Sequence, residues 1–247
     1  MATMRKVMSL GILYGLLLAA LAYAQDYASF MAQGDQMWLA RSGSDEKVIA
    51  AIKLYEQAAQ TDPKQAEPYC QIARGYYFLG RFAPAAKKEE LYKKGVAAGE
   101  KAIGLNANSP CAHYWYAVCL AKSLENKSVV EKLKYKSKME SNLEFCRKSD
   151  PKYYYGGPDR VIGMVAFKNP LANNSMAIEH LRQSLKLYPD YSLTLVNLAE
   201  VLIKEKQYAE AEQLCKKTLT LTPMKGFERE LADDQAQAKK LLASIPK

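Results

Sequence analysis

The sequence is poor in the residues on which metal sites and many catalytic sites depend. Its 247 residues include only two histidines, His113 and His180, and neither has cysteines or carboxylates beside it at the spacing of zinc ligands. Gly-x-Ser-x-Gly, His-Glu-x-x-His and glycine-rich phosphate-loop motifs are also missing. We therefore expect no enzymatic activity, no metal and no cofactor.

Glycine and proline are scarce as well. They number 13 and 10, whereas Leu, Ala, Lys, Glu and Gln, which favour or tolerate helix, are common. Hydrophobic residues make up 49% of the chain and charged residues 25%, a balance that supports a sizeable core and excludes a disordered chain. The predicted fold class is all-α.

The first 24 residues have the organisation of a signal peptide. Two basic residues precede an apolar run over residues 7–22, and Ala22-Tyr23-Ala24 is a small-x-small cleavage pattern. The run is short for a membrane span and is interrupted by glycine and serine, although an uncleaved anchor is the alternative. We predict a mature chain from Gln25 that is exported, periplasmic or secreted, and has no stable membrane anchor.

The charge of the mature chain is moderately positive. Without the two basic residues of the leader, 33 basic residues (35 − 2) stand against 26 acidic ones, a surplus of 7. The lysines alternate with glutamates along helix-like stretches, which is typical of solvated helix faces. We predict no nucleic-acid partner.

Large and small residues recur at fixed spacing in the last third of the chain. Counted back from Pro223, they fall at positions 4, 7, 8, 11, 20, 24 and 27 of a 34-residue unit: Leu195, Leu198, Ala199, Leu202, Ala211, Cys215 and Thr218. This is the tetratricopeptide pattern, in which small residues let two antiparallel helices approach closely. Similar units end near residues 63, 107, 151 and 189.

The units predict one tetratricopeptide-repeat domain over residues 25–247. We expect an α-solenoid of about five helix pairs, closed by a polar-faced capping helix over residues 226–245 that ends an open stack. Units two and three are enlarged by the polar stretches Lys87–Gly95 and Lys122–Lys138. These stretches predict lengthened second helices or joining segments on the outer surface.

First helices line the concave side of such a stack, and this side is the expected partner- or ligand-binding groove. Tyrosine and arginine carry much of the energy of binding patches, and several of these residues could instead contact the next unit. The predicted groove residues are Arg74, Tyr77, Phe78, Tyr114, Lys122, Val196 and Glu200.

The five cysteines are an odd number and do not form a disulfide framework. Cys70 and Cys111 fall on adjacent first helices facing the same groove, so they are the pair to test first for a disulfide.

A tyrosine-rich segment joins units three and four. Its glycines permit a tight turn with positive φ, and its proline suits the first turn of a new helix. Because an arginine at a helix start opposes the helix dipole, Arg160 is predicted to have a specific acceptor, either carbonyls of the preceding helix or a carboxylate. The residues of this structural turn are Tyr153, Tyr155, Gly156, Gly157, Pro158 and Arg160.

The run Gly156-Gly157-Pro158-Asp159-Arg160-Val161-Ile162-Gly163, the sequence Ala112-His113-Tyr114-Trp115 and the enlarged middle units resemble the T-component family of TRAP transporters. The resemblance implies a periplasmic helical-repeat scaffold that associates with a solute-binding protein. The cysteine that anchors such proteins to lipid is missing here.

Two functions are therefore predicted. The first is a non-catalytic periplasmic scaffold that binds a protein partner, such as the solute-binding subunit of a TRAP-type transporter, with its concave face. The alternative is a carrier of a small apolar or carboxylate-bearing ligand in a tyrosine-lined channel. Fold alone does not identify the partner.

The predicted signal peptide, residues 1–24, gives the first testable prediction. Mass spectrometry of the protein purified from its native host should give an N-terminus at Gln25, because cleavage follows the Ala-x-Ala pattern. A chain that retains residues 1–24 would instead indicate the uncleaved anchor.

Overall fold

A computed structural model describes residues 25–169 and 173–246. Within these ranges all regular structure is helical, as the composition predicted. The predicted signal peptide lies outside the described residues.

Five antiparallel helix pairs follow one another along the chain. The first helix of a pair packs against the second, and consecutive pairs stack side by side. The predicted α-solenoid with a C-terminal capping helix is confirmed. The pairs are α1 (residues 25–39) and α2 (Asp45–Thr61), α3 (Glu67–Phe82) and α4 (Ala85–Leu105), α5 (Pro110–Ser123) and α6 (Val129–Ser149), α7 (Tyr153–Phe167) and α8 (Asn174–Leu187), and α9 (Ser192–Lys204) and α10 (Tyr208–Thr220), followed by α11 (Glu228–Ser244).

Small residues stand where helices cross, as the repeat pattern requires. Ala51, Ala73 and Ala199 are fully buried. Gly99 on α4 faces the backbone of α5 so closely that a Cβ there would lie 2.8 Å from the Cα of Tyr116. These contacts let neighbouring helices approach without a gap, and the large residues beside them fill the core.

The two enlarged units lengthen their second helices, but in different ways. Both α4 and α6 have 21 residues. In α4 the added stretch is packed, because Tyr92 is buried and Gly95 faces Cys119. In α6 the first buried residue is Met139, so residues 129–138 project from the stack.

The C-terminal helix does more than cap the last pair. It packs against α9 and α10, and its first turns also reach the opposite end of the chain. Arg229 lies 2.6 Å from Asp45, and the buried Glu230 accepts a 2.9 Å hydrogen bond from Nε of Arg41. The expectation of an open stack with a solvated polar cap is therefore corrected, because α11 uses charged residues to join the two ends.

The close packing of α4 on α5 at Gly99 can be tested with a matched pair of substitutions in α4. Gly99→Ala should lower the free energy of unfolding by roughly 1–3 kcal/mol, because the added methyl meets the α5 backbone. Gly104→Ala should raise it by about 0.5–1 kcal/mol, since nothing lies within 4 Å of a Cβ at that position. Urea unfolding of both variants tests the packing. Equal effects would contradict the close approach of α4 and α5.

Candidate functional site

The first four residues of α7, where the third pair meets the fourth, form a short left-handed turn ahead of the regular helix, which we call the tyrosine turn (residues 153–156). Tyr154, Tyr155 and Gly156 have φ values of 43°, 60° and 68°. A positive φ was predicted for the glycines of this turn, and Gly156 has one. The positive φ values of the two tyrosines were not predicted. A left-handed conformation costs an L-residue about 1–2 kcal/mol, so the turn requires compensating contacts.

Arg160 supplies those contacts. Its Nη1 donates to the carbonyl of Tyr155 at 3.0 Å, and its Nη2 donates to the carbonyl of Tyr154 at 3.3 Å and to the hydroxyl of Tyr114 at 2.9 Å. The guanidinium also lies 4.7 Å from the ring centre of Tyr191. Of the two acceptors predicted for Arg160, the structure has backbone carbonyls.

The other predicted turn residues lie at the start of α7. Gly157 has helical backbone angles, and it is needed for space, because a Cβ there would lie 2.6 Å from the ring of Tyr114. Pro158 stands in the first regular turn, where its missing N–H leaves no helix bond unmade. Tyr153 accepts a 3.0 Å hydrogen bond from the indole of Trp115.

Three of the seven predicted groove residues are buried. Phe78, Tyr114 and Val196 are at most 3% exposed and therefore hold helices together. Tyr114 packs edge-on against Trp115 and Tyr153, with ring centres 4.9 and 5.2 Å apart. Aromatic side chains thus fill the middle of the expected groove.

The remaining predicted groove residues are partly exposed. The guanidinium of Arg74 stacks 4.1 Å from the ring centre of Trp38, and Tyr77 packs 5.4 Å from Trp115. Two others form surface ion pairs, Lys122 with Glu125 at 3.4 Å and Glu200 with Lys168 at 2.9 Å. The structure does not bring these four together in one site.

Cys70 and Cys111 form a disulfide that joins α3 to α5, with Cα atoms 6.0 Å apart. Glu67 lies beside them, and the three side chains are close enough to hold a metal ion. The disulfide, however, removes the thiolates that would act as ligands. Burial raises the pKa of the Cys215 thiol to about 11, which makes that cysteine a poor nucleophile at neutral pH.

A cavity of about 450 Å³ lies between the tyrosine turn, the start of α9, the loop before α11 and α11 itself. We call it the inner cavity. Its wall combines aromatic rings with buried carboxylates. The residues that define it are Tyr155, Tyr188, Tyr191, Phe227, Glu230 and Asp234.

The rings of the inner cavity form a connected set. Tyr155 and Tyr191 are stacked, with centres 4.8 Å apart and planes 8° from parallel. Phe227 stands edge-on to Tyr155 at 5.4 Å. Sequence reasoning identified Tyr155 but missed the residues that face it. The signal for two of them was the Tyr-Pro-Asp-Tyr run at residues 188–191, which follows the end of α8.

Two buried carboxylates, those of Glu230 and Asp234, form part of the cavity wall, and both residues are at most 5% exposed. Oδ2 of Asp234 accepts from the hydroxyl of Ser192 at 2.6 Å, and Oδ1 accepts from Arg81 at 2.5 Å. Burial raises the pKa of Glu230 and of Asp234, because each charge is held away from water despite the arginine beside it.

The other unusual surface is the α6 projection (residues 129–138), which combines lysines with exposed apolar side chains. Val130 is 65% exposed and Leu133 47%. The helix begins with a capping box between Ser128 and Glu131, which stabilises its free end. Lys127 holds the preceding loop to α4 through a 2.9 Å contact with Glu89.

Two of the four lysines of the α6 projection are paired with carboxylates. Lys138 pairs with Glu100 at 2.9 Å, and Lys136 lies 3.8 Å from Glu140. In the described part of the chain no ion pair includes Lys132 or Lys134. These two lysines are therefore available to an acidic partner.

No helix in residues 25–169 or 173–246 is long and apolar enough to cross a membrane.

Comparison with known families gives two matches. The family described as Regulator of microtubule dynamics protein 1-3 matches residues 30–155, and a tetratricopeptide repeat family matches residues 174–223. No curated protein matches the chain.

Solved structures with a similar fold include a tetratricopeptide protein, PilF and PilW, all of low identity. TTC0263, a thermophilic TPR protein of Thermus thermophilus, is 18% identical with a TM-score of 0.65, over 87% of this chain and 99% of that one. PilF of Pseudomonas aeruginosa is 16% identical with a TM-score of 0.57, over 89% and 90%. PilW, described as a widely conserved type IV pilus biogenesis factor, is 14% identical with a TM-score of 0.58, over 89% and 91%. They show the helical-repeat fold alone.

The contacts of Arg160 generate a prediction about the tyrosine turn. Arg160→Ala should lower the free energy of unfolding by roughly 3 kcal/mol or more, because it removes the donor to two part-buried carbonyls and to the buried hydroxyl of Tyr114. Arg182→Ala is the matched control, since Arg182 pairs with Glu210 at the surface and should change stability by less than about 0.5 kcal/mol. Thermal and urea unfolding measure both. Similar losses would show that Arg160 does not support the turn.

Proposed function

The chain belongs to the Regulator of microtubule dynamics protein 1-3 family, and from that premise we propose that it is a non-catalytic scaffold that binds a protein partner. The tetratricopeptide fold supports this proposal, because such repeats generally bind proteins and are generally not catalytic. The family match covers the first three helix pairs, and these include the α6 projection.

We propose that the α6 projection is the partner-binding surface. Its ten residues have no buried member, and a helix of that length extends about 15 Å. Exposed Val130 and Leu133 offer apolar contact area, and Lys132 and Lys134 beside them attract an acidic protein surface. A surface that only kept the protein soluble would have no use for four large apolar side chains at 43% exposure or more.

The family name directs the choice of the first partner. It refers to the regulation of microtubule dynamics, so we propose that the partner is the microtubule or a protein bound to it. The proposal assigns no effect on growth or shortening, because a binding surface alone does not determine the direction of regulation.

A second candidate partner follows from the predicted leader and the disulfide. Disulfides persist in oxidising compartments, and the signal peptide predicted at residues 1–24 would deliver the chain to one. In a bacterial periplasm the partner would be a solute-binding protein, as the resemblance to the TRAP T-component family implies. Crosslinking in the native compartment and identification of the captured chain would decide between the two partners.

The binding surface is tested by charge reversal. Lys132→Glu/Lys134→Glu should weaken cosedimentation with polymerised tubulin by at least about tenfold, and binding by the unaltered protein should weaken as salt is added. Lys239→Glu/Lys240→Glu makes the same change of charge on the exposed face of α11 and should bind normally.

The outcomes separate the two parts of the proposal. Failure of the unaltered protein to sediment with microtubules removes them as the partner. Equal weakening by both double variants removes the α6 projection as the specific surface, because a general loss of positive charge would then explain the effect.

A further inference from the structure

We propose that reduction of the Cys70–Cys111 disulfide opens a binding site for a thiophilic divalent metal ion, with Zn²⁺ as the representative ion. The ligands would be the sulfur atoms of Cys70 and Cys111 and a carboxylate oxygen of Glu67. The site joins the first turns of α3 and α5. None of its ligands belongs to the α6 projection, so it does not depend on the proposed partner.

The three ligand atoms are already close together. The Sγ atoms of Cys70 and Cys111 and a carboxylate oxygen of Glu67 all lie within 4.8 Å of one another. Nitrogen, oxygen and sulfur ligands of a tetrahedral zinc ion are roughly 3.3–3.8 Å apart, so small side-chain rotations would place all three around one ion. Glu67 and Cys70 stand one helical turn apart on α3, and residues at that spacing share a face of the helix.

The disulfide must be reduced before the metal binds, because the thiolate is the metal ligand. A dithiol or a glutathione-type thiol supplies two electrons: the Sγ–Sγ bond breaks, the two cysteines take up two protons, and the reductant is converted to its own disulfide. Metal binding then releases the two thiol protons to solvent. Reducing compartments keep cysteines in the thiol state, so the metal form belongs to such a compartment and the disulfide form to an oxidising one.

Helix packing should keep the two cysteines together after reduction. Besides the disulfide, α3 and α5 contact each other directly, and both Cys70 and Cys111 are at most 8% exposed. Their Cα atoms are 6.0 Å apart, so the helices need not move for both sulfur atoms to reach one ion. Ligands that are held in place before binding lose little conformational freedom when the ion arrives.

A glutamine beside the ligands supports the site. Nε2 of Gln71 donates to Oε1 of Glu67, a hydrogen bond of the kind that orients carboxylate ligands. Oε1 of the same amide is buried and has no hydrogen-bond partner among the described residues. A water molecule that completes four-coordinate zinc would give this oxygen a donor. Glu67 is exposed, which leaves the ion a path to the buried sulfur atoms.

The ligand set selects the class of metal. Thiolates favour Zn²⁺ and other thiophilic ions, whereas Mg²⁺ and Ca²⁺ prefer oxygen ligands alone. The sequence analysis expected no metal because neither histidine has suitable neighbours. This set contains no histidine, and its cysteines are 41 positions apart, so only the packing of α3 on α5 reveals it.

Cobalt, a spectroscopic substitute for zinc, tests the site. Co²⁺ added to protein that has been reduced with a phosphine should give thiolate-to-cobalt charge-transfer absorption and the strong visible bands of tetrahedral cobalt. Zn²⁺ should then remove both, because it binds the same ligands more tightly. Protein with the disulfide closed should give neither signal. Absence of the bands from reduced protein, or equal bands in the oxidised protein, overturns the proposal.

A matched pair of cysteine variants identifies the thiolates. Cys111→Ala should weaken Zn²⁺ binding by the reduced protein by about a hundredfold or more, measured by competition with a chromophoric chelator. Cys119→Ala removes a free, buried thiol from the same helix and should bind Zn²⁺ normally. Circular dichroism checks that both variants keep their helices. Equal weakening in the two variants, or none in either, contradicts the assignment.

A carboxylate pair tests the third ligand without disturbing the core. Glu67→Gln should weaken Zn²⁺ binding by at least about tenfold, since the amide is neutral and a poorer ligand. Glu46→Gln makes the same change at another exposed carboxylate in the first turn of a helix and should have no effect. Because both positions are exposed, this pair decides even if the Cys111 variant unfolds. Unchanged binding by Glu67→Gln overturns the three-ligand site.

The proposed function and this inference fail separately. The Lys132→Glu/Lys134→Glu variant should bind Co²⁺ and Zn²⁺ normally when reduced, since neither lysine is among the grouped ligands. Loss of metal binding in that variant would contradict the independence of the two sites.

Discussion

The contact between Arg160 and the tyrosine turn is the constraint on which the inner part of the structure depends. Two tyrosines and a glycine adopt left-handed angles there, and this backbone is tenable because one guanidinium binds two of its carbonyls. The turn places Tyr155 against Phe227 and Tyr191. Without it, Phe227 would lose its contacts with Tyr154 and Tyr155, and the cavity wall would be incomplete.

The same region changes a curved stack into a closed one. Arg41 and Arg81 from the first half of the chain meet carboxylates on α11. A buried charge pair contributes little net stability compared with apolar packing, but loss of one partner is costly. These pairs therefore specify where α11 lies more than they stabilise it. The inner cavity lies at this junction, and the proposed binding surface, the α6 projection, lies apart from it.

The helix pairs were predictable from sequence because their determinants are local. Positions such as Ala199 and Ala211 repeat at fixed spacing, and the helices follow that spacing. Burial of Phe78 and Tyr114 was not predictable in this way, since it depends on side chains of neighbouring units, such as Trp38 against Phe78 and Tyr153 against Tyr114. Arg41 and Glu230 are 189 positions apart, and no periodicity links them. That α4 is packed while α6 projects was only weakly indicated by the sequence. The added stretch of α4 contains the aromatic Tyr92, whereas in α6 lysines stand on both sides of Leu133.

The disulfide does not decide between the two proposed partners. Cys70 and Cys111 join α3 and α5, but these helices also contact each other through buried residues such as Ala73. Reduction of the disulfide would therefore remove a constraint on the unfolded chain without removing the packing. The α6 projection lies beyond that contact and keeps its lysines in either redox state. The proposed partner therefore has an acidic surface in an oxidising and in a reducing compartment alike.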